Sequence, residues 1–334
     1  MSQSTLFKAL VVEETAQNTF SKSICQRDIS ELPDNELLIE VHYSSLNFKD
    51  AMSASGNKRV TQNFPHTPGI DAAGVVVSDK SGTFKAGQQV LVFGYDLGMN
   101  TAGGLGQMIS IPANWAVPCP DTLSLKEAMT YGTGGLTAAL CIQKLEKAGA
   151  KPSDGPVAVT GATGGVGSVS IALLKQLGYD VVAFSGKPEQ SEHLKALGAS
   201  EVLHRDVINE AKDMLVGREL WAHAIDTLGG DYLANLLKQL KSGGSVSSCG
   251  LASSPALSLT VLPFITRGVS LLGVDSVYIP LADKQHIWQR VATDMKLPQL
   301  DKYCEEITLA QTPEYLDRFF QSRVVGRYVV NMRK

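Results

Sequence analysis

The chain has 334 residues, 44% of them hydrophobic and 19% charged, with a formal net charge of −3. That length is too great for a comfortable single core and predicts two domains. The charge excludes a nucleic-acid surface, so a polyanionic ligand has to be met by local cations, and no apolar run reaches the ~20 residues of a membrane-spanning helix.

From residue 6 to about 120 the chain predicts short strands and turns. The apolar segments 9–12, 37–41, 73–77 and 89–93 are separated by Gly, Pro, Asn and Asp, the pattern of an irregular β-barrel. Ser124 and Glu127 form a capping-box pair that opens a helix, and from there strands and helices alternate. Strands are expected at 157–159, 181–184, 201–203, 222–226, 245–249 and 271–274, with helices at 166–177, 189–197 and 232–240. Such alternation implies a parallel sheet covered on both faces. The run Tyr328-Val329-Val330 is expected to return to the first domain.

The N-terminal segment, starting Met1-Ser2-Gln3-Ser4, lacks the basic and apolar regions of a signal peptide, so a cytoplasmic protein is expected. Five scattered cysteines (Cys25, Cys119, Cys141, Cys249 and Cys304) exclude a Cys-x-x-Cys zinc lobe and argue against a disulfide framework. They are expected mostly as small core residues. His204 and His223 each interrupt an apolar run and are expected to be structural, because a metal site needs several convergent ligands.

The most informative stretch is Thr160-Gly161-Ala162-Thr163-Gly164-Gly165-Val166-Gly167-Ser168, between a predicted strand and a predicted helix. A strand that turns through glycines into a helix directs free N–H groups and the positive end of the helix dipole at one spot, which suits a pyrophosphate. The spacing Gly-x-x-Gly-x-x-Gly is a variant of the dinucleotide fingerprint. The alternative is a turn that only lets helix and strand pack closely.

The next strand carries Ser185-Gly186-Lys187 where an NAD site usually places an acid for the ribose hydroxyls. A hydroxyl, a glycine and a cation, with Arg205 as a second cation, would accept a 2′-phosphate, so NADPH is the predicted cofactor. The alternative for Lys187 is a solvated loop lysine. The basic segment Gly56-Asn57-Lys58-Arg59 is expected to be a solvated loop, with contact to coenzyme A phosphates as the other reading.

Together, Ser44–Asp50, Phe64-Pro65 with Pro68–Gly74, Thr160–Ser168, Ser185-Gly186, Ala224–Thr227, Cys249–Ala252, Gly273–Ser276 and Gly326-Arg327 resemble the medium-chain dehydrogenase/reductase superfamily. Within it the chain resembles the zinc-free quinone-oxidoreductase-like branch, and most of all its acrylyl-CoA reductase family. The resemblance implies a Rossmann doubly wound parallel sheet (128–274) inserted in a GroES-like irregular β-barrel (1–127 and 275–334). It implies NADPH-dependent reduction of an activated C=C bond, acryloyl-CoA to propanoyl-CoA, with Asn47 and Asp50 catalytic.

For the cofactor the resemblance assigns Thr163, Gly164, Gly165, Val166, Ser185, Gly186 and Lys187 to phosphates. It adds Arg205, Leu251 and Ile265 flanking the nicotinamide, Ser276 nearby, Arg327 from the C-terminal segment, and Phe48 against the cofactor. It also suggests a homodimer paired through 269–274, the alternative being an edge covered by the chain's own helices.

Three departures matter. Zinc-dependent members hold their catalytic metal with Cys where Asn47 stands and His where Ile70 stands, and amide and alkyl groups do not replace them. Phe48 stands where family members carry Tyr, so no phenol is available there. Ser322 stands where relatives have Asn and carries no expectation. Asn47 and Asp50 also suit a plain structural turn. The competing functions are a broad NADPH:quinone or enone reductase and a non-catalytic NADPH-binding protein such as a sensor or lens-type crystallin.

Overall fold

A computed structural model describes residues 6–298, 300–321 and 324–334; Ser322 lies outside them. In chain order the strands are β1 (Leu6–Ala16), β2 (Thr19–Asp28), β3 (Leu37–Ser45), β4 (Asp71–Asp79), β5 (Gln89–Phe93), β6 (Met108–Ile111), β7 (Ala116–Pro118), β8 (Val157–Val159), β9 (Val181–Ser185), β10 (Glu201–His204), β11 (Trp221–Asp226), β12 (Leu240–Ser248), β13 (Ser270–Gly273), β14 (Cys304–Thr308) and β15 (Arg327–Asn331). The helices are α1 (Phe48–Ala54), α2 (Leu125–Lys147), α3 (Gly165–Gln176), α4 (Ser191–Leu197), α5 (Gly230–Lys238), α6 (Leu262–Arg267), α7 (Leu281–Val291) and α8 (Thr312–Phe320).

The chain divides into two compact units. The first comprises Met1–Thr133, Val277–Ala292 and Gln299–Lys334; the second comprises Gly134–Ser276 and Thr293–Pro298. In the first unit β1 and β2 form a hairpin, and a seven-stranded sheet runs β14-β15-β3-β4-β5-β7 with β6 on β3. Its inward residues, among them Leu37, Ile39, Val41, Val90, Val92, Ile109 and Val330, close one apolar core. The C-terminal β15 lies between β14 and β3, pairing Val329 with Ser45, so the end of the chain completes the sheet its beginning starts.

The second unit holds six parallel strands in the order β10-β9-β8-β11-β12-β13. β8 is buried throughout and β9 likewise, which explains their unbroken apolar sequence. Gly178 and Gly198, at φ 86° and 121°, end the helices before β9 and β10. Ser124 and Glu127 make the reciprocal cap of α2, at 2.7 and 3.1 Å.

One expectation is corrected by packing. Among the cysteines only Cys141 is buried; the other four are partly exposed. The segment Gly56–Arg59 is a loop with Lys58 and Arg59 exposed, as expected; the Lys58 ammonium pairs with Glu14 at 2.9 Å and lies over the Phe64 ring, 4.7 Å from the centroid. His223 is structural, bonding Asp154 at 3.1 Å and accepting from the Ser245 N–H. No helix among the described residues is long and apolar enough to cross a membrane.

Candidate active site

In the first unit the chemistry gathers at one end of the seven-stranded sheet, where β3 ends, β4 starts and β15 starts. Asn47 precedes α1, and its N–H is accepted by the Asp50 carboxylate at 2.8 Å, which ties the helix start to its own first turn. The other Asp50 oxygen accepts the Ile70 N–H at 2.9 Å. Asp71 accepts from the Ser45 hydroxyl, the Asn47 amide (2.9 Å), and both the hydroxyl and the N–H (2.9 Å) of Thr133. Arg327 donates to Asn47 Oδ1 at 3.0 Å, Ser45 Oγ at 2.7 Å and the Thr130 carbonyl at 3.3 Å, with Asp71 3.6 Å away.

Asp50, Asp71 and Arg327 are all buried, so two carboxylates share one guanidinium out of water. Burial, and then the Asp71 charge, push the Asp50 carboxyl up to about 7; three N–H donors from Ile70 and Asn47 hold it back. Burial lowers the Arg327 pKa, opposed chiefly by Asp71.

Gly132 makes this cluster possible. It sits at φ 50° and ψ −160°, breaking α2 into two helical stretches. A Cβ there would fall 2.2 Å from Arg327 Nη2 and 2.4 Å from Ser45 Oγ, so both the conformation and the close approach require glycine. The second stretch starts at Thr133, whose first-turn N–H meets the Asp71 carboxylate.

Asn47 Nδ2 lies 2.9 Å from Asp71, 3.3 Å from Asp50 and 3.3 Å from the Ser45 carbonyl. Both amide hydrogens therefore already have protein acceptors. Arg327, only 3% exposed, is turned onto Asn47, Ser45 and Asp71. The Phe48 ring is half-exposed and meets Phe320 of α8 edge-on, 5.8 Å between centroids. Sequence reasoning assigned no role to Asp71, Ser45, Thr133 or Phe320; no local pattern in the sequence marks them.

In the second unit the glycine turn is as tight as its sequence suggests. A Cβ on Gly161, at φ 58°, would fall 2.1 Å from Thr227 Oγ1, and one on Gly167 would fall 2.4 Å from the Gly161 carbonyl. Gly164 precedes α3 without a side-chain cap. The first-turn N–H groups of Gly165 and Val166 thus meet no side chain from the cap, a cradle that fits a pyrophosphate. Thr163 is buried beside it. Behind it Asp226 accepts from Thr160 Oγ1 (2.8 Å) and the Gly229 N–H (2.9 Å), fixing the ends of β8 and β11.

Parallel register sets His204 opposite Ser185, which brings Arg205 alongside Gly186. A Cβ on Gly186 would lie 3.0 Å from Arg205 Nε. Ser185 Oγ accepts the Lys187 N–H at 2.9 Å, and partial burial lowers the Lys187 pKa. Ser185, Gly186, Lys187 and Arg205 form one cationic corner. Leu251 and Ile265 are 65% and 72% exposed, so neither serves the core. Ser276 accepts from Thr137 Oγ1 at 2.9 Å.

Comparison with known proteins fits this geometry. Residues 33–121 match the family model described as Alcohol dehydrogenase GroES-like domain, and residues 165–293 match Zinc-binding dehydrogenase. The chain is 42% identical to the probable acrylyl-CoA reductase AcuI of Escherichia coli, over 97% of this chain and 99% of that one. It belongs to the medium-chain dehydrogenase/reductase superfamily, in the acrylyl-CoA reductase branch.

The putative quinone oxidoreductase YhfP of Bacillus subtilis is 43% identical over 98% of this chain and all of its own. The crystal structure of yhdH from Salmonella enterica in complex with NADP superposes with a TM-score of 0.93 at 43% identity, covering 97% of this chain and 99% of that one. That of yhfP with NAD bound scores 0.95, also at 43%, over 98% and 100%. Despite the second family description, this medium-chain reductase carries Asn47 and Ile70, which offer an amide and an alkyl group. No cluster of three or more His, Cys, Asp or Glu among the described residues is placed to hold a metal ion.

The Asp50 shift has a measurable sign. An ordinary aspartate releases its proton near 3.8, whereas Asp50 does so near 7. Between those values the unfolded chain binds fewer protons than the folded one. Stability therefore falls as pH rises through the window and levels off above it. Urea unfolding from about pH 4 to about pH 8 should show the stability difference, wild type minus Asp50→Asn, declining with pH; a flat difference contradicts the assignment.

Proposed function

We propose that this chain reduces an activated C=C bond with NADPH, with acryloyl-CoA to propanoyl-CoA as its reaction. The observation that carries the reading is the cationic corner of Lys187 and Arg205, in a chain alike from end to end to reductases named for acrylyl-CoA. Bound there, NADPH supplies hydride for the β-carbon of the substrate. The N–H groups of Gly165 and Val166, beside Thr163 and Gly164, hold its pyrophosphate, and Ser185, Gly186, Lys187 and Arg205 take the 2′-phosphate. Leu251 and Ile265, exposed and apolar, serve the nicotinamide, with Phe48 against it and Ser276 nearby. Reduction of a conjugated thioester moves charge onto the carbonyl oxygen, which needs an aimed donor rather than a strong Lewis acid.

Asn47, Asp50 and Arg327 act as one unit. Arg327 and Asp71 hold the Asn47 amide in one orientation, and Asp50 locks the turn that presents it and Phe48. A second reading, reduction of quinones or simple enones, is favoured by the likeness to YhfP and uses the same cofactor residues.

The protein is proposed to be a cytoplasmic homodimer acting on small molecules. Five free cysteines suit a reducing compartment. β13 is an edge strand of the parallel sheet, with Leu271 exposed on it, and self-pairing covers such an edge.

NADPH consumption with acryloyl-CoA, crotonyl-CoA and a simple quinone, measured side by side, is expected to favour acryloyl-CoA, and Asn47→Ala to lose roughly tenfold or more of that turnover. A higher kcat/KM for the quinone selects the second reading; cofactor binding without consumption selects a binding protein. Lys187→Asp is expected to weaken NADPH roughly ten- to a hundred-fold relative to NADH, and an unchanged preference sinks the 2′-phosphate assignment. Light scattering should give a mass of about two 35.7 kDa chains for the wild type and one for Leu271→Asp; a monomeric wild type removes the dimer.

A further inference from the structure

The hydroxyl protons of the cluster around Asn47 are spent on Asp71, both Asn47 amide hydrogens face protein acceptors, and Phe48 has no hydroxyl. A donor for the substrate has to come from elsewhere at the same end of the sheet. The turn that follows β5 supplies one. Gly94 and Tyr95 take successive left-handed conformations, φ 68° and 52°. For a bulky aromatic residue that is an outlier, and such outliers persist only where the surroundings over-determine them.

The surroundings here do so. The Tyr95 N–H donates to the Val277 carbonyl at 3.1 Å, and a Cβ on Gly94 would fall 2.6 Å from that same oxygen. Lys284, fully buried, donates to the Phe93 carbonyl at 2.6 Å and sets its ammonium 3.4 Å from the Tyr95 ring centroid. The ring stacks on Trp115, 5.4 Å between centroids and 17° between planes. Backbone and ring are both clamped, yet the phenol oxygen makes no hydrogen bond among the described residues. Partial burial pushes the phenol pKa up, so it keeps its proton at neutral pH.

Register places this turn. Phe93 pairs with Asp71 across β4 and β5, and neighbouring strands lie about 4.8 Å apart. Tyr95 therefore follows the strand end that faces Asp71, the residue holding Asn47.

We infer that Tyr95 is a further catalytic residue, the general acid that protonates the α-carbon of the reduced enoyl thioester. This rests on the reductase reading above. The C=C bond gains two electrons: hydride reaches the β-carbon as NADPH becomes NADP+, and the π pair takes the Tyr95 proton at the α-carbon. The O–H bond breaks, a C–H bond forms, and the phenolate recovers a proton from water.

Tyr95→Phe keeps the ring and its stacking, so its Tm and NADPH Kd should match the wild type. With acryloyl-CoA its kcat should fall about a hundredfold. The deciding readout is the product made in D2O: the wild type sets deuterium at the α-carbon in one configuration, and the variant gives a mixture. A merely structural Tyr95 leaves that configuration single, and a single configuration from the variant overturns the inference whatever its kcat. A wild type that consumes no NADPH with either enoyl-CoA overturns the preceding reading and this one with it. A working wild type alongside an unaltered variant product overturns this one alone.

Discussion

Two carboxylates and one guanidinium buried at a single sheet end set the terms for the rest of the first unit. Asp71 and Arg327 lie two strands apart and are joined through Ser45 and Asn47, so β15, β3, β4 and both stretches of α2 are tied at one point. Charges removed from water are stable only when paired and fully hydrogen-bonded. Asp71 meets that condition with four donors and Arg327 with three acceptors, besides their mutual attraction. Asp50 meets it less well, because it is fully buried with only neutral N–H donors and a second carboxylate stands nearby. Its displaced titration expresses that imbalance.

The second unit solves a simpler problem. Its strands are short and buried on both faces, so each helix and loop is positioned by the sheet. The proposed cofactor residues are those that protrude past the strand ends: glycines after β8, Ser185 to Lys187 after β9, Arg205 after β10, and the segment from Gly250 after β12. A protein with a net charge of −3 can still present a cationic corner here, because register alone brings Lys187 and Arg205 to the same glycine.

How much of this the sequence discloses depends on the range of the interaction. Strands such as Gln89–Phe93 and Val157–Val159 stand in the sequence with the bounds the structure shows, since alternation, buried runs and flanking glycines are local. The Ser124–Glu127 cap and the glycine turn are equally local. The cluster around Asn47 is not. Nothing within ten residues of Asp71 reveals that Thr133 and Ser45 donate to it, and the break of α2 at Gly132 is hidden inside an ordinary helical run. Tyr95 was silent for the same reason: its unusual backbone is imposed by Val277 and Lys284, nearly two hundred residues away in sequence.

The path of β15 bears on how the polypeptide matures on the ribosome. The six parallel strands of the second unit are all emitted by residue 273, whereas the sheet of the first lacks a strand between β14 and β3 until residues 327–331 emerge. Until then the Tyr43–Ser45 end of β3 lacks its partner, and Asp50 and Asp71 have no counter-ion. The nascent first unit is therefore open and charge-unbalanced until residues 327–331 emerge, the interval in which an unpaired edge is most exposed to wrong partners. Emergence of residues 327–331 ends both conditions at once.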